Sequence, residues 1–258
     1  MSKIVAIHSF RGGTGKSNIT ANVAVSIARK GQRVGIVDTD IASPGIHVLF
    51  GLDKEKMDKA LNDYLWGDCS VEETAYDVGG SLKIGENKAI LTRGCVYLIP
   101  SSIKAGEIVR VLKEGYDVEV LNDGFRELIK KLNLDYLFID THPGLNEETL
   151  LSMAVSDTLL LIMRPDQQDY QGTAVTVEVS RKLGIPRMLL VVNKVLAEFD
   201  FDEVKNKLEK TYNCKVAGVL PLSEDMVRLG SAGIFSLHYP NHPLTAVIEE
   251  IASNFIRE

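Results

Sequence analysis

Three glycines in four residues, Gly12-Gly13-Thr14-Gly15, run straight into Lys16-Ser17, and this short stretch joins two segments of different periodicity. Ahead of it lies the apolar run Ile4-Val5-Ala6-Ile7; behind it, residues 19–28 repeat apolar side chains at helical spacing. A strand, a glycine-rich loop, Gly-Lys-Ser and a helix in that order leave a chain few folds to choose from. Glycine lets the backbone curl so that successive N–H groups converge on one anion. The helix start contributes its own unpaired N–H groups and the positive end of its dipole. Lys16 is then placed to reach the β- and γ-phosphates of a nucleotide, and Ser17 to offer a hydroxyl to Mg²⁺.

The loop is a contracted form of the G-x-x-x-x-G-K-[ST] spacing, because only Thr14 stands between Gly13 and Gly15. Arg11 brings a second cation to the same end of the loop. Its guanidinium can fork onto phosphate oxygens in its own chain or in a neighbouring one, or stand as a solvated arginine at a strand end.

Apolar strand candidates and amphipathic helices alternate along the rest of the chain. Strands are expected at 32–37, 96–99, 136–139, 158–163, 188–192 and 216–220. Helices are expected near 56–65, 118–132, 147–154, 172–183, 202–212 and 244–256, with a less regular section over about 40–120. Short, almost wholly apolar strands between helices predict an α/β three-layer sandwich, a mostly parallel sheet with helices on both faces. No Ser/Gly/Pro-rich linker divides the 258 residues, so one domain over 1–258 is expected. Three strands end in polar side chains, Asp38, Asp140 and Asn193. Ligands of open parallel sheets gather at the carboxyl ends of strands, so these residues and the glycine loop converge on one edge. Carboxylates at Asp38, Asp40 and Asp140 are of the type that surrounds a phosphate-bound Mg²⁺ and its waters.

Composition removes other classes. Cys69, Cys95 and Cys214 lie far apart with no C-x-x-C, which argues against zinc, an iron–sulfur cluster of usual spacing, or a disulfide framework, and suits a reducing cytoplasm. The first residues run directly into a strand, so no signal peptide is expected, and no apolar stretch approaches the ~18–20 residues of a membrane span. A net charge of −6 gives no general attraction to nucleic acid or anionic lipid.

Taken together, Arg11–Ser17, the segment Asp38-Thr39-Asp40-Ile41-Ala42-Ser43-Pro44-Gly45 and the segment Asp140-Thr141-His142-Pro143-Gly144-Leu145 resemble the deviant Walker A, switch I and switch II motifs of the MinD/ParA ATPases. The likeness continues through Ser156-Asp157-Thr158 and 172–184, covers nearly the whole chain, and is closest to the MinD-like branch. It implies the P-loop NTPase sandwich and an ATPase that holds ATP and Mg²⁺ between two subunits and separates after hydrolysis. Gly12, Gly13, Thr14, Gly15, Lys16, Ser17 and Asn18 would contact the phosphates. Ser17, Asp38 and Asp140 would serve the metal shell, Asp140 as the Walker B carboxylate, while Asp40 orients the attacking water. Asn193 and the stretch beginning at Pro221 would line the adenine site. The chain departs from the family at Arg11, where a signature lysine reaches the partner's phosphates, and at His142, where a proline or small residue is usual. His142 can serve as a structural loop residue or touch the γ-phosphate or the water.

Asn193-Lys194-Val195-Leu196 begins like a guanine-reading N-K-x-D, but Leu196 replaces the aspartate, which favours ATP over GTP. Residues 244–256 place apolar side chains on one helical face, and Glu249, Glu250 and Glu258 on the other would repel anionic lipid, so a core-packing helix is expected rather than a membrane anchor. Basic residues such as Arg126, Lys130 and Lys131 are mixed with acids, so DNA is not an expected partner. The expected role is a nucleotide switch that dimerises with ATP and positions or recruits another protein. A metabolic or carrier ATPase on the same scaffold, or an ATP-binding module with little turnover, are the alternatives.

Overall fold

The computed structural model describes residues 2–84, 88–89 and 93–256. Its strands are β1 (Lys3–His8), β2 (Arg33–Asp38), β3 (Tyr76–Asp77), β4 (Lys83–Ile84), β5 (Lys88–Ala89), β6 (Cys95–Ile99), β7 (Tyr136–Asp140), β8 (Thr158–Met163), β9 (Arg187–Val195) and β10 (Lys215–Pro221). Eight of them form one sheet in the order β10-β9-β8-β1-β7-β2-β6-β3, parallel throughout except for β3 at the edge, while β4 and β5 make a separate hairpin. The helices are α1 (Lys16–Arg29), α2 (Ile46–Leu49), α3 (Leu61–Leu65), α4 (Ala105–Glu114), α5 (Val118–Lys131), α6 (Glu147–Ala154), α7 (Gln167–Lys182), α8 (Phe201–Tyr212), α9 (Glu224–Leu229), α10 (Phe235–His238) and α11 (Pro243–Ile256).

The strands are apolar throughout because both faces are covered. Val5 and Ile7 of β1 pack with Ile19, Val23 and Ile27 of α1 and Ile251 and Phe255 of α11. Ala6, between them, faces Val177 of α7 and Leu208 of α8. Farther along the same face, Ile139 of β7 meets Leu121, Phe125 and Leu128 of α5. The helix expected at the end of the chain is thus a core element, seated on α1 and β10.

Several boundaries differ from the sequence expectation. Of 56–65 only Leu61–Leu65 is α-helical, because the Asp63 carboxylate accepts from the Ala60 amide at 2.8 Å and starts the helix there. α7 begins five residues earlier than expected, where Asp166 accepts from the amides of Gln168 and Asp169. The irregular section contains α4, an amphipathic helix that the sequence reading did not place, with glycine near its start (Gly106) and at its end (Gly115).

Candidate functional site

The parallel register sets the carboxyl ends of β1, β2, β7 and β9 along one edge. Asp38 and Asp140 are paired neighbours at the ends of β2 and β7, and the glycine loop leaves β1 beside them. Gly13 (φ +77°) and Gly15 (φ +92°) turn that loop in the left-handed region. Gly15 is also crowded: a Cβ there would lie 2.5 Å from the Asn193 amide nitrogen.

Two loop carbonyls are tied to the end of β9. The Gly13 carbonyl accepts from Lys194 Nζ at 2.8 Å, and the Thr14 carbonyl accepts from Asn193 Nδ2 at 2.7 Å. In trans peptides the following N–H groups, those of Thr14 and Gly15, point the opposite way. Lys194 makes its contact from a left-handed backbone (φ +60°), uncommon for a residue with a Cβ. The loop, residues Gly12–Asn18, lines a cavity of about 290 Å³ with Ser9, Asp40, Ser43 and Pro143.

Lys16 is buried, and its Nζ donates to Asp140 Oδ1 at 2.9 Å. Thr20, one turn along α1, donates to the same oxygen at 3.0 Å. Asp38 is buried as well; it accepts from the Asp40 amide at 3.0 Å and the Gly45 amide at 3.3 Å. Burial, with the neighbouring Asp140 charge, raises the Asp38 carboxyl well above the usual carboxylate range, although Lys16 opposes this. Asp40 Oδ1 accepts from the Ser43 amide at 3.1 Å and hydroxyl at 2.9 Å.

The sequence expected Lys16, Ser17, Asp38, Asp40 and Asp140 at one place, and the fold brings them there. Thr14 Oγ1 and Asn18 Oδ1 are buried with no hydrogen-bond partner among the described residues. These orphaned atoms in a glycine cradle beside a buried lysine fit a polyanionic ligand. The cation donors expected from the sequence, Ser17, Asp38 and Asp140, offer only oxygens. Among the described residues no three His, Cys, Asp or Glu side chains converge as a metal cage. That donor set fits a Mg²⁺ carried mainly by phosphate and water.

A second cavity, of about 280 Å³, adjoins the first through Gly15 and Asn18. Asn193, Leu220, Pro221, Met226 and Ile248 line it, so Asn193 and Pro221 do meet at one pocket.

Arg11 takes neither cavity. Its guanidinium lies 3.4 Å from Asp166 and 3.6 Å from Asp169 at the start of α7 in its own chain, where Arg164 also pairs with both acids. His142 donates from Nδ1 to the Pro143 carbonyl at 2.7 Å, and its Nε2 lies 3.8 Å from Asp40 Oδ1.

Sequence reasoning missed Thr20, His8, the contact of Lys194 with Gly13 and the Phe10–Gly172 contact. His8, at the end of β1, is fully buried with Nδ1 2.9 Å from Thr141 Oγ1. Because that hydroxyl donates to the Ile7 carbonyl, Nδ1 carries the proton and Nε2 is left buried without a partner. Burial, with the nearby Lys16 charge, lowers its pKa to about 3. A polar residue closing an apolar strand was the available signal for His8. Phe10 packs on Gly172 in the body of α7.

By sequence, residues 2–184 match the AAA domain family. The chain is 26% identical to an uncharacterized ATP-binding protein, MJ0547, of Methanocaldococcus jannaschii, over 99% of this chain and 88% of that protein. It is 28% identical to an iron-sulfur cluster carrier protein of Pseudomonas fragi, over 98% of this chain and 84% of the relative. Among solved structures it resembles the septum site-determining protein MinD of Pyrococcus horikoshii complexed with Mg-ADP. The TM-score is 0.81 at 21% identity, over 99% of this chain and 96% of that one.

Proposed function

This chain belongs to the MinD/ParA family of deviant Walker A P-loop ATPases, matching the AAA domain over residues 2–184, and from that premise we propose that it is a nucleotide switch. In this reading it binds Mg·ATP, hydrolyses it slowly, forms a homodimer in the ATP state, and positions or recruits a partner protein. It works in the cytoplasm as one domain over 1–258.

The observation that carries the reading is the buried Lys16–Asp140 pair beneath a glycine cradle, next to Asp38 and open to the Asn193–Pro221 pocket. The loop amides from Gly12 to Asn18 and Lys16 take the phosphates, and the pocket takes adenine. Ser17 and the carboxylates Asp38 and Asp140 would hold Mg²⁺, which would supply charge neutralisation at the phosphates. Asp40 faces the loop cavity and orients the water. Arg11, held by Asp166 and Asp169 in the single chain, is the group the dimer would redirect toward a partner's phosphates.

The carrier reading draws on the Pseudomonas fragi relative. Against it, Cys69, Cys95 and Cys214 are scattered, Cys214 is buried, and no cysteine cluster forms among the described residues. Anaerobic reconstitution with iron and sulfide separates the two, and the switch reading expects no cluster.

Light scattering with ADP, and with a non-hydrolysable ATP analogue plus Mg²⁺, tests the switch. A dimer is expected only with the analogue, and Lys16→Ala should bind neither nucleotide. A monomer under both conditions would overturn the switch reading and leave a plain binder or enzyme.

A further inference from the structure

His142 follows β7 by two residues, and its geometry beside Asp40 gives it a task. The Pro143 carbonyl can only accept, so the 2.7 Å contact fixes the proton of the ring on Nδ1. In the neutral imidazole Nε2 is then an acceptor. It lies 3.8 Å from Asp40 Oδ1, too far for a direct hydrogen bond, and a carboxylate has no proton to offer it. The Asp40 carboxylate is itself pinned, since Oδ1 accepts from both the amide and hydroxyl of Ser43, while Oδ2 has no donor among the described residues. Two acceptors thus stand side by side, and Asp40 and Pro143, the residue that fixes the His142 ring, both line the cavity of the glycine loop.

A water molecule meets this arrangement. Its two O–H groups satisfy Nε2 and the Asp40 carboxylate together, and a separation near 4 Å suits one water bonded to both. Held by both protons, the water can present only its lone pairs to the rest of the cavity. One acceptor alone would leave it free to swing about a single hydrogen bond.

We propose that His142 Nε2 and the Asp40 carboxylate form a two-acceptor clamp that orients the water attacking the γ-phosphate. The inference rests on the Mg·ATP reading above and adds His142 to it as a water-holding residue. In the step, the water oxygen bonds to the γ-phosphorus as the bond from that phosphorus to the β–γ bridging oxygen breaks. ADP leaves with the bridging electron pair. One water proton passes through the Asp40 carboxylate to the released phosphate and the other stays on the transferred oxygen. His142 accepts a hydrogen bond throughout and is neither oxidised nor alkylated.

The test compares single-turnover hydrolysis of Mg·ATP with ATP affinity in the full chain for the parent protein, His142→Ala, His142→Gln and His142→Arg. His142→Ala should lower the single-turnover rate about 10-fold or more, the scale of a misplaced reacting group, with affinity unchanged. His142→Gln, whose amide oxygen can accept, should recover part of the rate, and His142→Arg should not. Recovery by His142→Arg alone would make the residue a charge partner of Asp40 and overturn the clamp. So would an alanine variant at the parent rate, or one whose affinity falls as far as its rate. A parent protein that binds Mg·ATP without hydrolysing it would overturn the clamp and the turnover in the switch reading together, whereas normal parent hydrolysis with any of the other adverse outcomes sinks the clamp alone.

Discussion

Replacing Gly172 by alanine tests whether α7 fixes the approach to the glycine loop. In an unobstructed helix interior, alanine would be better than glycine by roughly 0.5–1 kcal/mol. Here a Cβ on residue 172 would overlap Cγ and Cδ1 of Phe10 and lie 2.8 Å from its Cβ. Those atoms sit close to the Phe10 backbone, so spinning the ring gives little relief. The phenyl group must leave, and with it the segment that leads into Arg11 and Gly12. Overpacking of this kind costs about 1–3 kcal/mol. Against the helix gain, the net loss for Gly172→Ala is about 1–2 kcal/mol, with weaker nucleotide binding because the displaced segment is the start of the loop. Removing the ring lifts the obstruction. Phe10→Ala alone should cost about 1 kcal/mol, since the ring is only partly buried. Combined with Gly172→Ala it should recover most of the helix gain, giving a favourable coupling of about 2 kcal/mol in a double-mutant cycle. Urea unfolding of the four proteins at equal m-values measures the cycle, and calorimetric titration with Mg·ATP measures the loop. If Gly172→Ala raised stability, or the two changes simply added, Phe10 would not be held rigidly against α7 and the reasoning would fail.

Two buried titratable groups impose opposite pH slopes. His8 has a folded pKa of about 3 against 6.5 in the unfolded chain, so the unfolded state takes up the proton first and stability is lost as pH falls from about 6.5 toward 3. The loss is at most about 5 kcal/mol, and His8→Gln should flatten that part of the acid limb; an unchanged slope would show that His8 is not held neutral by burial. Asp38 shifts upward, so the native state without ligand holds a proton the unfolded chain has released, and stability declines as pH rises above about 4. Asp38→Asn keeps an acceptor for the Asp40 amide and should stabilise the ligand-free protein at pH 7 by at least about 1 kcal/mol, with no gain at pH 4; equal stability at both pH values would refute the buried-charge account.

How much of this was legible in the sequence follows the distance over which each interaction acts. The strands were readable because a parallel sheet covered on both faces needs uninterrupted apolar runs, and Tyr136–Asp140 or Thr158–Met163 can be little else. The loop and the carboxylates were readable because each marks the end of a strand. Helix starts set by a single side chain were not: the Asp166 cap moved the start of α7 back past Gly172, a residue that had looked like a boundary. α9 and α10 are too short for a periodic pattern to announce them, and α4, though amphipathic, buries only Val111 and has Gly106 near its start and Gly115 at its end, in a stretch that read as irregular. Phe10 on Gly172, Lys194 on Gly13 and Asn193 on Thr14 join residues more than 150 positions apart, and nothing local to either partner specifies them. His142 was visible as an oddity, but its relation to Asp40 exists only once switch I and switch II lie on adjacent strands.

That adjacency also explains why phosphate binding and a change of shape would be one event here. The segment after β7 is stitched to the loop strand by the Thr141 amide on the Ile7 carbonyl and the Gly144 amide on the Ser9 carbonyl, and to β2 by the Thr39 amide on the Asp140 carbonyl. At the centre of these backbone bonds, Asp140 holds the Lys16 ammonium that a triphosphate would need in the proposed function. A phosphate chain entering the cradle must draw that ammonium away or share it, which leaves Asp140 beside Asp38 with its charge less compensated. Two neighbouring buried carboxylates in that condition call for a cation between them and the phosphates, or for movement of the strand ends that carry them. Either response would act on Asp40, two residues past Asp38, and on Pro143, three past Asp140, so in the proposed switch a seated ligand would bias both segments.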